Sequence, residues 1–307
     1  MAKLSFGLTE RAAGAAIGVA LALLAVGMPS FPFLLASAAA AAHAPPAGDC
    51  GEVVTIGTHA RTTTRYALAQ PRGASAPGGR IALVLLAGGG GHLDLDDAGC
   101  PRALKGNSLV RSLPLFQEAG FITALVDAPS DHPGEDGLAG FRIATEHAED
   151  LGKVIADVRA RTRSSVWLVG TSRGTISAVN AAARLSGPSA PEGLVLTSAL
   201  TSGGTGRKSW VAHTVFDLPL EAIRVPVLVV GHASDQCARS PAGLMGDITA
   251  RTNGAREQVV TVSGGPGGQA GAASGHAVCE GRSPHGFIGQ EAEVAAGIAR
   301  FIRGGIF

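Results

Sequence analysis

The first pattern in this sequence that could do covalent chemistry is a serine held between glycines, Gly170-Thr171-Ser172-Arg173-Gly174, which reads G-x-S-x-G. A serine hydroxyl is a weak nucleophile at neutral pH and needs a base beside it. The spacing suits a sharp turn that lifts Ser172 above a sheet edge, where a base and a substrate can both reach it. Gly170 and Gly174 lack a Cβ, so a strand and a helix can approach closely around the serine. The amide of Arg173 would stand at a helix N-terminus and point at a developing oxyanion. In a chain with 44 glycines the pattern arises readily by chance, so its flanks decide its value. The apolar run Val166-Trp167-Leu168-Val169 precedes it, and a helix rich in small residues (Gly174, Ala178, Ala181, Ala182) follows. The bland alternative is an ordinary strand-to-helix turn.

The elements that would position this serine follow from periodicity. Residues 53–56 and 63–69 read as two strands of an opening hairpin. Residues 81–86 (IALVLL) form a continuous apolar run, as suits a strand buried on both faces, and end in four glycines, Gly88 to Gly91. Residues 107–119 have helical spacing, perturbed by Pro114. Residues 121–126 are the next buried strand, and 141–161 carry apolar residues at helical spacing. Residues 165–169, 194–197, 225–230 and 258–262 read as strands; 173–185, 242–251 and 290–302 read as helices. Strands alternating with helices predict an α/β fold with a doubly wound, mostly parallel sheet flanked by helices. Ligands of such sheets sit at the carboxyl ends of the strands.

From residue 81 to the end, the sequence resembles the α/β-hydrolase fold, the superfamily of esterases, lipases and related hydrolases. The resemblance rests on GTSRG as a nucleophile elbow, on the glycine run after the earlier strand, and on an acid and a histidine downstream in the order Ser, Asp, His. It implies Ser172 as nucleophile and a catalytic triad. The acid would be Asp235, in the loop after residues 225–230; Asp127 precedes the serine and suits substrate binding or loop structure. The histidine would be His285, in Ser283-Pro284-His285-Gly286-Phe287 directly before the closing helix, with His276 competing. The second oxyanion donor would lie in Ala87-Gly88-Gly89-Gly90-Gly91. Relatives carry His-Gly where this chain has Ala87-Gly88; Gly89 is the choice by position and Gly90 the next. The stretch between residues 197 and 225, where relatives insert a lid, is short, so a short or absent lid is expected. Its Trp210, His213, Val215 and Phe216 offer a pocket wall. His92 and His132 sit in loops at the same end of the sheet, more simply read as solvated.

Residues 1–42 read as a signal peptide: Lys3 and Arg11 open it, an apolar run spans 12–28, and A-x-A sites occur at residues 36–38 and 40–42. An uncleaved anchor is the rival reading. Residues 43–307 would then form one α/β-hydrolase domain. Export makes the four cysteines, Cys50, Cys100, Cys237 and Cys279, candidates for two disulfides, with three pairings open. Cys237 lies two residues after Asp235 and Cys279 six before His285. A Cys237–Cys279 bridge would tie the acid loop to the histidine loop, with Cys50–Cys100 as its complement.

The hydrophobic fraction of 46% against 16% charged residues marks a chain able to bury a core rather than a disordered one. A formal charge of +1, without blocks of either sign, gives no reason to expect nucleic acid or stable membrane insertion of the mature chain. No cluster has metal-ligand spacing, and the glycine run lacks the Lys-Ser/Thr of a nucleotide loop. The expectation is therefore no metal and no organic cofactor, and a small-molecule or polymeric ester as substrate. A serine peptidase or amidase on the same fold, and a non-catalytic secreted binding protein, are the alternatives.

Overall fold

Runs of Val, Leu and Ile too apolar to face water set the centre of the sheet. In the computed structural model, which describes residues 50–72, 80–206, 208–266 and 275–307, eight strands form one sheet. They are β1 (Glu52–Gly57), β2 (Thr63–Ala69), β3 (Ile81–Leu86), β4 (Ile122–Val126), β5 (Ser165–Thr171), β6 (Gly193–Thr197), β7 (Val227–His232) and β8 (Glu257–Val262). The order is β1-β2-β4-β3-β5-β6-β7-β8. β1 and β2 form the expected hairpin, and β2 also runs antiparallel to β4; the remaining neighbours are parallel. Leu83, Val84 and Leu85 on β3 are wholly buried, as a strand covered on both faces requires. The outermost strand β8 alternates instead between exposed and partly buried positions, because only one of its faces is covered. The segment read as a signal peptide, residues 1–42, lies outside the described residues, all of which fall within one compact unit, Pro45–Phe307.

Helices cover both faces. On one side α1 (Ser108–Glu118) and α5 (Glu291–Ile302) pack Leu109, Leu113, Phe116, Val294, Ile298 and Phe301 against Leu83, Leu85, Val169 and Val230. On the other, α2 (Thr145–Thr162), α3 (Gly174–Arg184) and the single turn α4 (Gly246–Thr249) bury Leu151, Ile155, Val158, Ile176, Val179 and Ile248 against Val84, Val166, Leu168 and Val229. Asn107 caps α1, its side chain accepting from the Leu109 amide at 3.0 Å. Pro114 is accommodated inside this helix. No helix among the described residues is long and apolar enough to cross a membrane.

Two helices expected from periodicity are interrupted. The long helix over 141–161 begins as a 3-10 turn, Ala139–Ile143, and restarts as α2 after an extended residue, Ala144. The break is stabilised from α3: the Asn180 side-chain amide donates to the carbonyls of Arg142 (2.9 Å) and Ala144 (2.7 Å), satisfying acceptors that a continuous helix would have used. It also turns Arg142 into the interior, where it is 1% exposed. The helix over 242–251 is divided into a 3-10 turn, Ala242–Leu244, and α4.

Candidate active site

β5 delivers Ser172 to the carboxyl edge of the sheet in a conformation that L-residues avoid. Its φ is +50°, the left-handed region, which for a non-glycine residue costs on the order of 1–3 kcal/mol. The turn is held from both sides. The Ser172 amide donates to the Thr197 carbonyl on β6 (2.9 Å), and its carbonyl accepts from the amide (3.0 Å) and hydroxyl (2.6 Å) of Thr175 on α3. The two flanking glycines are sterically required. A Cβ on Gly170 would stand 2.6 Å from the Gly174 carbonyl oxygen, and one on Gly174 would collide with that of Leu86.

Because β3 and β5 are neighbours, with Leu86 opposite Gly170, the glycine run after β3 lies against this turn. A Cβ on Gly88 would come within 2.9 Å of the Ser172 Cβ, so the first glycine of the run gives the serine its room. The amides of Gly89 and Arg173 donate to no acceptor among the described residues, and both residues line the cleft that Ser172 lines. Gly90 lines it too, its carbonyl accepting from the Leu138 amide at 2.8 Å.

Asp235 follows β7, and His285 sits in the short turn Pro284–Gly286 before α5. The structure brings these two together: His285 Nδ1 is 2.8 Å from Asp235 Oδ2, with side chains 3% and 1% exposed. The other Asp235 oxygen accepts from the Cys237 amide at 2.8 Å. A carboxylate in this position accepts a hydrogen bond from Nδ1–H, keeping the proton on Nδ1 and leaving Nε2 with its lone pair free. His285 Nε2 is buried and has no hydrogen-bond partner among the described residues, so it is not bonded to Ser172 Oγ; both residues line one cleft of about 740 Å³. His276, the competing histidine, is exposed and stands apart from this pair.

Both disulfides are present, Cys50–Cys100 and Cys237–Cys279. The second joins the acid loop to the segment just before the histidine turn, and Cys279 itself lines the cleft.

Several polar residues support the site with no local pattern to announce them. The Ser240 hydroxyl, fully buried, donates to Asp235 Oδ2 at 2.9 Å and lies 2.9 Å from His285 Nδ1. Ser198 donates to the His285 carbonyl at 2.7 Å. Arg142 donates through Nη2 to the carbonyls of Ala87 (3.1 Å) and Gly89 (3.2 Å) and through Nη1 to Ser177 Oγ (2.7 Å), so a buried cation braces the glycine loop. Burial and the nearby Arg173 cation lower the Arg142 pKa to about 9, which leaves it charged at neutral pH. Asp127, after β4, accepts from the amides of Leu93, Leu95 and Ala128 and thereby shapes the loop beyond the glycines.

The expected pocket wall is different in the structure. Val215 is buried in the core, Phe216 lies under the Arg251 guanidinium, and Trp210 lies under that of Arg173 at 3.9 Å. Among the described residues the cleft is walled instead by Leu104, Asn107, Gly134, Glu135 and Arg282, with His92 at its side. The segment 197–225 is spent on short turns packed onto the sheet, which is why it supplies no wall. Burial, then the Arg239 cation, lowers the Arg173 pKa to about 10, so Arg173 also stays charged.

This arrangement is the α/β-hydrolase fold, with no lid inserted among the described residues. Among solved structures, the chain is similar to an alpha-beta serine hydrolase homologue from Coxiella burnetii (TM-score 0.52, 16% identity, 82% of this chain and 97% of that one). It is also similar to a dienelactone hydrolase from Anabaena variabilis (TM-score 0.51, 14% identity, 83% and 99%). A thermophilic esterase from the planctomycete Thermogutta terrifontis superposes with a TM-score of 0.51 at 17% identity, over 82% and 92% of the two chains. No protein-family model and no curated protein matches the sequence.

Proposed function

We propose that the chain is an exported serine hydrolase that cleaves a carboxylic ester through an acyl-enzyme. Ser172 Oγ attacks the ester carbonyl while His285 Nε2 takes its proton. Asp235 holds the imidazole in the required tautomer and stabilises the imidazolium. The amides of Gly89 and Arg173 receive the oxyanion. His285 then delivers the proton to the departing alcohol, and water activated by the same nitrogen releases the acid. These steps use side chains and amides alone.

The observation that carries this reading is the pairing of a strained serine at φ +50° with a buried His285–Asp235 couple whose free Nε2 belongs to a residue of the same cleft. Two disulfides, together with the signal-like residues 1–42, support export. A fluorophosphonate probe should label the wild type at Ser172 and fail to label Ser172→Ala. Absence of labelling in folded wild type would remove the hydrolase reading and leave a binding protein. Among labelled enzymes, p-nitrophenyl esters of graded chain length run beside peptide anilides separate an esterase from a peptidase; turnover of anilides alone would overturn the ester assignment.

A further inference from the structure

Away from the cleft, three donor atoms converge on one point. His59 lies in the turn between β1 and β2, and Asp131 and His132 lie in the loop after β4. His59 Nε2 is 3.0 Å from Asp131 Oδ2, His132 Nε2 is 3.9 Å from the same oxygen, and all three atoms lie within 4.8 Å of one another. A tetrahedral zinc ion with bonds near 2.05 Å sets its donor atoms about 3.3 Å apart. Side-chain adjustments of the order of 1 Å therefore close this group around an ion.

The site is built rather than incidental. The second nitrogen of His59, Nδ1, is 2.5 Å from Asp150 Oδ2 on α2, a carboxylate only 3% exposed. That is the outer carboxylate that a metal-bound imidazole usually has, fixing the tautomer that turns Nε2 toward the ion. Phe141 stacks on His132 with centroids 4.4 Å apart and packs on His59 at 4.8 Å, which sets both ring planes. Ala60 and Arg61 both adopt positive φ, +43° and +66°, so the turn bearing His59 is held in a costly shape.

We propose that His59, Asp131 and His132 bind one zinc ion, with Asp150 orienting His59 and solvent completing the shell. Two imidazoles and one carboxylate suit zinc over magnesium or calcium, which take all-oxygen shells. The ion would fasten the β1–β2 turn to the loop that, two residues beyond His132, supplies Gly134 and Glu135 to the cleft wall. That loop is already tied to the catalytic edge: the Gly134 amide donates to His92 Nδ1 at 3.0 Å, and the Leu138 amide to the Gly90 carbonyl. The role is structural, and no step at Ser172 passes through the metal.

Untagged full-length protein, stripped with EDTA, should take up one zinc ion per chain by titration calorimetry and show a raised thermal midpoint. Cobalt(II) should produce visible absorption bands at the same stoichiometry. His59→Gln and His132→Gln should each abolish binding, and Asp150→Asn should weaken it about 10–100-fold. His276→Gln, which alters an exposed histidine elsewhere, should leave it unchanged, and magnesium or calcium should not raise the midpoint. The wild-type cobalt spectrum keeps the test open if a variant fails to fold. Zinc uptake that survives both histidine substitutions, or wild type showing neither saturable zinc binding below about 0.1 mM nor cobalt bands, would overturn the proposal and leave an ion-paired histidine between two acids.

Discussion

Ser172 is strained by its own Cβ, and this makes a prediction that activity alone would not. Ser172→Gly removes the cost of φ +50° and should raise stability by about 1 kcal/mol, net of the extra freedom glycine adds to the unfolded chain. In a domain this size that is a rise of about 2–4 °C in thermal midpoint by calorimetry. Ester turnover in the same variant should fall by about 10⁴-fold or more. A pair of substitutions separates the residues around the histidine. Asp235→Asn offers Nδ1 an amide in place of the carboxylate, disfavours the productive tautomer, and should lower kcat by about 10³–10⁴-fold. Ser240→Ala leaves the carboxylate in place but deletes one hydrogen bond to it, worth about 1.4 kcal/mol, so kcat should fall about tenfold with KM unchanged. Equal losses in the two variants would show that Ser240 is not merely a positioning residue.

At the scale of elements, the two disulfides close loops of similar length, with sequence separations of 50 and 42. Loop-closure entropy assigns each about 4 kcal/mol, so Cys50→Ala/Cys100→Ala and Cys237→Ala/Cys279→Ala should lose similar stability in urea titrations. Their effects on catalysis should differ. Cys50–Cys100 ties the start of β1 to a surface loop, where the Cys50 amide already donates to the Ala98 carbonyl. Cys237–Cys279 joins the loop of Asp235 to the segment that leads into His285. Only its removal should lower kcat on p-nitrophenyl esters, measured where both variants remain folded. The same scale accounts for the interrupted helices. Apolar spacing over 141–161 is truly helical from Thr145 onward. What spacing cannot show is that Asn180, far along the chain, offers the Arg142 carbonyl a partner in place of the next helical turn and gives the Ala144 carbonyl a shorter one (2.7 Å) than the Ala148 amide does (3.4 Å).

For the whole molecule, His147 sets an acid limit. Burial, then the Arg142 cation, lowers its pKa to about 3 from the ordinary 6.5, so it is neutral in the folded protein, with Nε2 2.8 Å from Ser177 Oγ. The unfolded chain takes up a proton there below pH 6.5 while the folded one does not. The unfolded state then binds more protons, so stability is fully present above pH 6.5 and falls as the pH drops toward 3. The slope from this one group is at most about 1.4 kcal/mol per pH unit. His147→Gln should therefore show a smaller drop in thermal midpoint between pH 7 and about pH 4.5 than wild type does. A drop of the same size would assign the acid sensitivity to other groups.

The fold and the strand-to-helix turn that bears Ser172 were legible because both rest largely on short-range patterns. Continuous apolar runs identify buried strands, and the glycines of GTSRG flank the serine at a fixed short spacing, although the clashes they avoid come from the Gly174 carbonyl four residues on for Gly170 and from the Leu86 carbonyl on the neighbouring strand for Gly174. The order of Ser172, Asp235 and His285 could be read against a known pattern, but nothing local distinguished His285 from His276. That needed the chain to return across 50 residues, where His285 meets Asp235 and His276 stays exposed. Ser240, Arg142 and the His59–Asp131–His132 group were illegible for the same reason. A buried polar side chain is specified by partners that the fold brings together, 72 and 91 residues apart for His59 with Asp131 and Asp150, and such distances leave no periodicity in a sequence. Local sequence thus determined the sheet, the elbow and the glycine loop, while tertiary structure alone decided which histidine the acid holds, what braces the loop, and which residues wall the cleft.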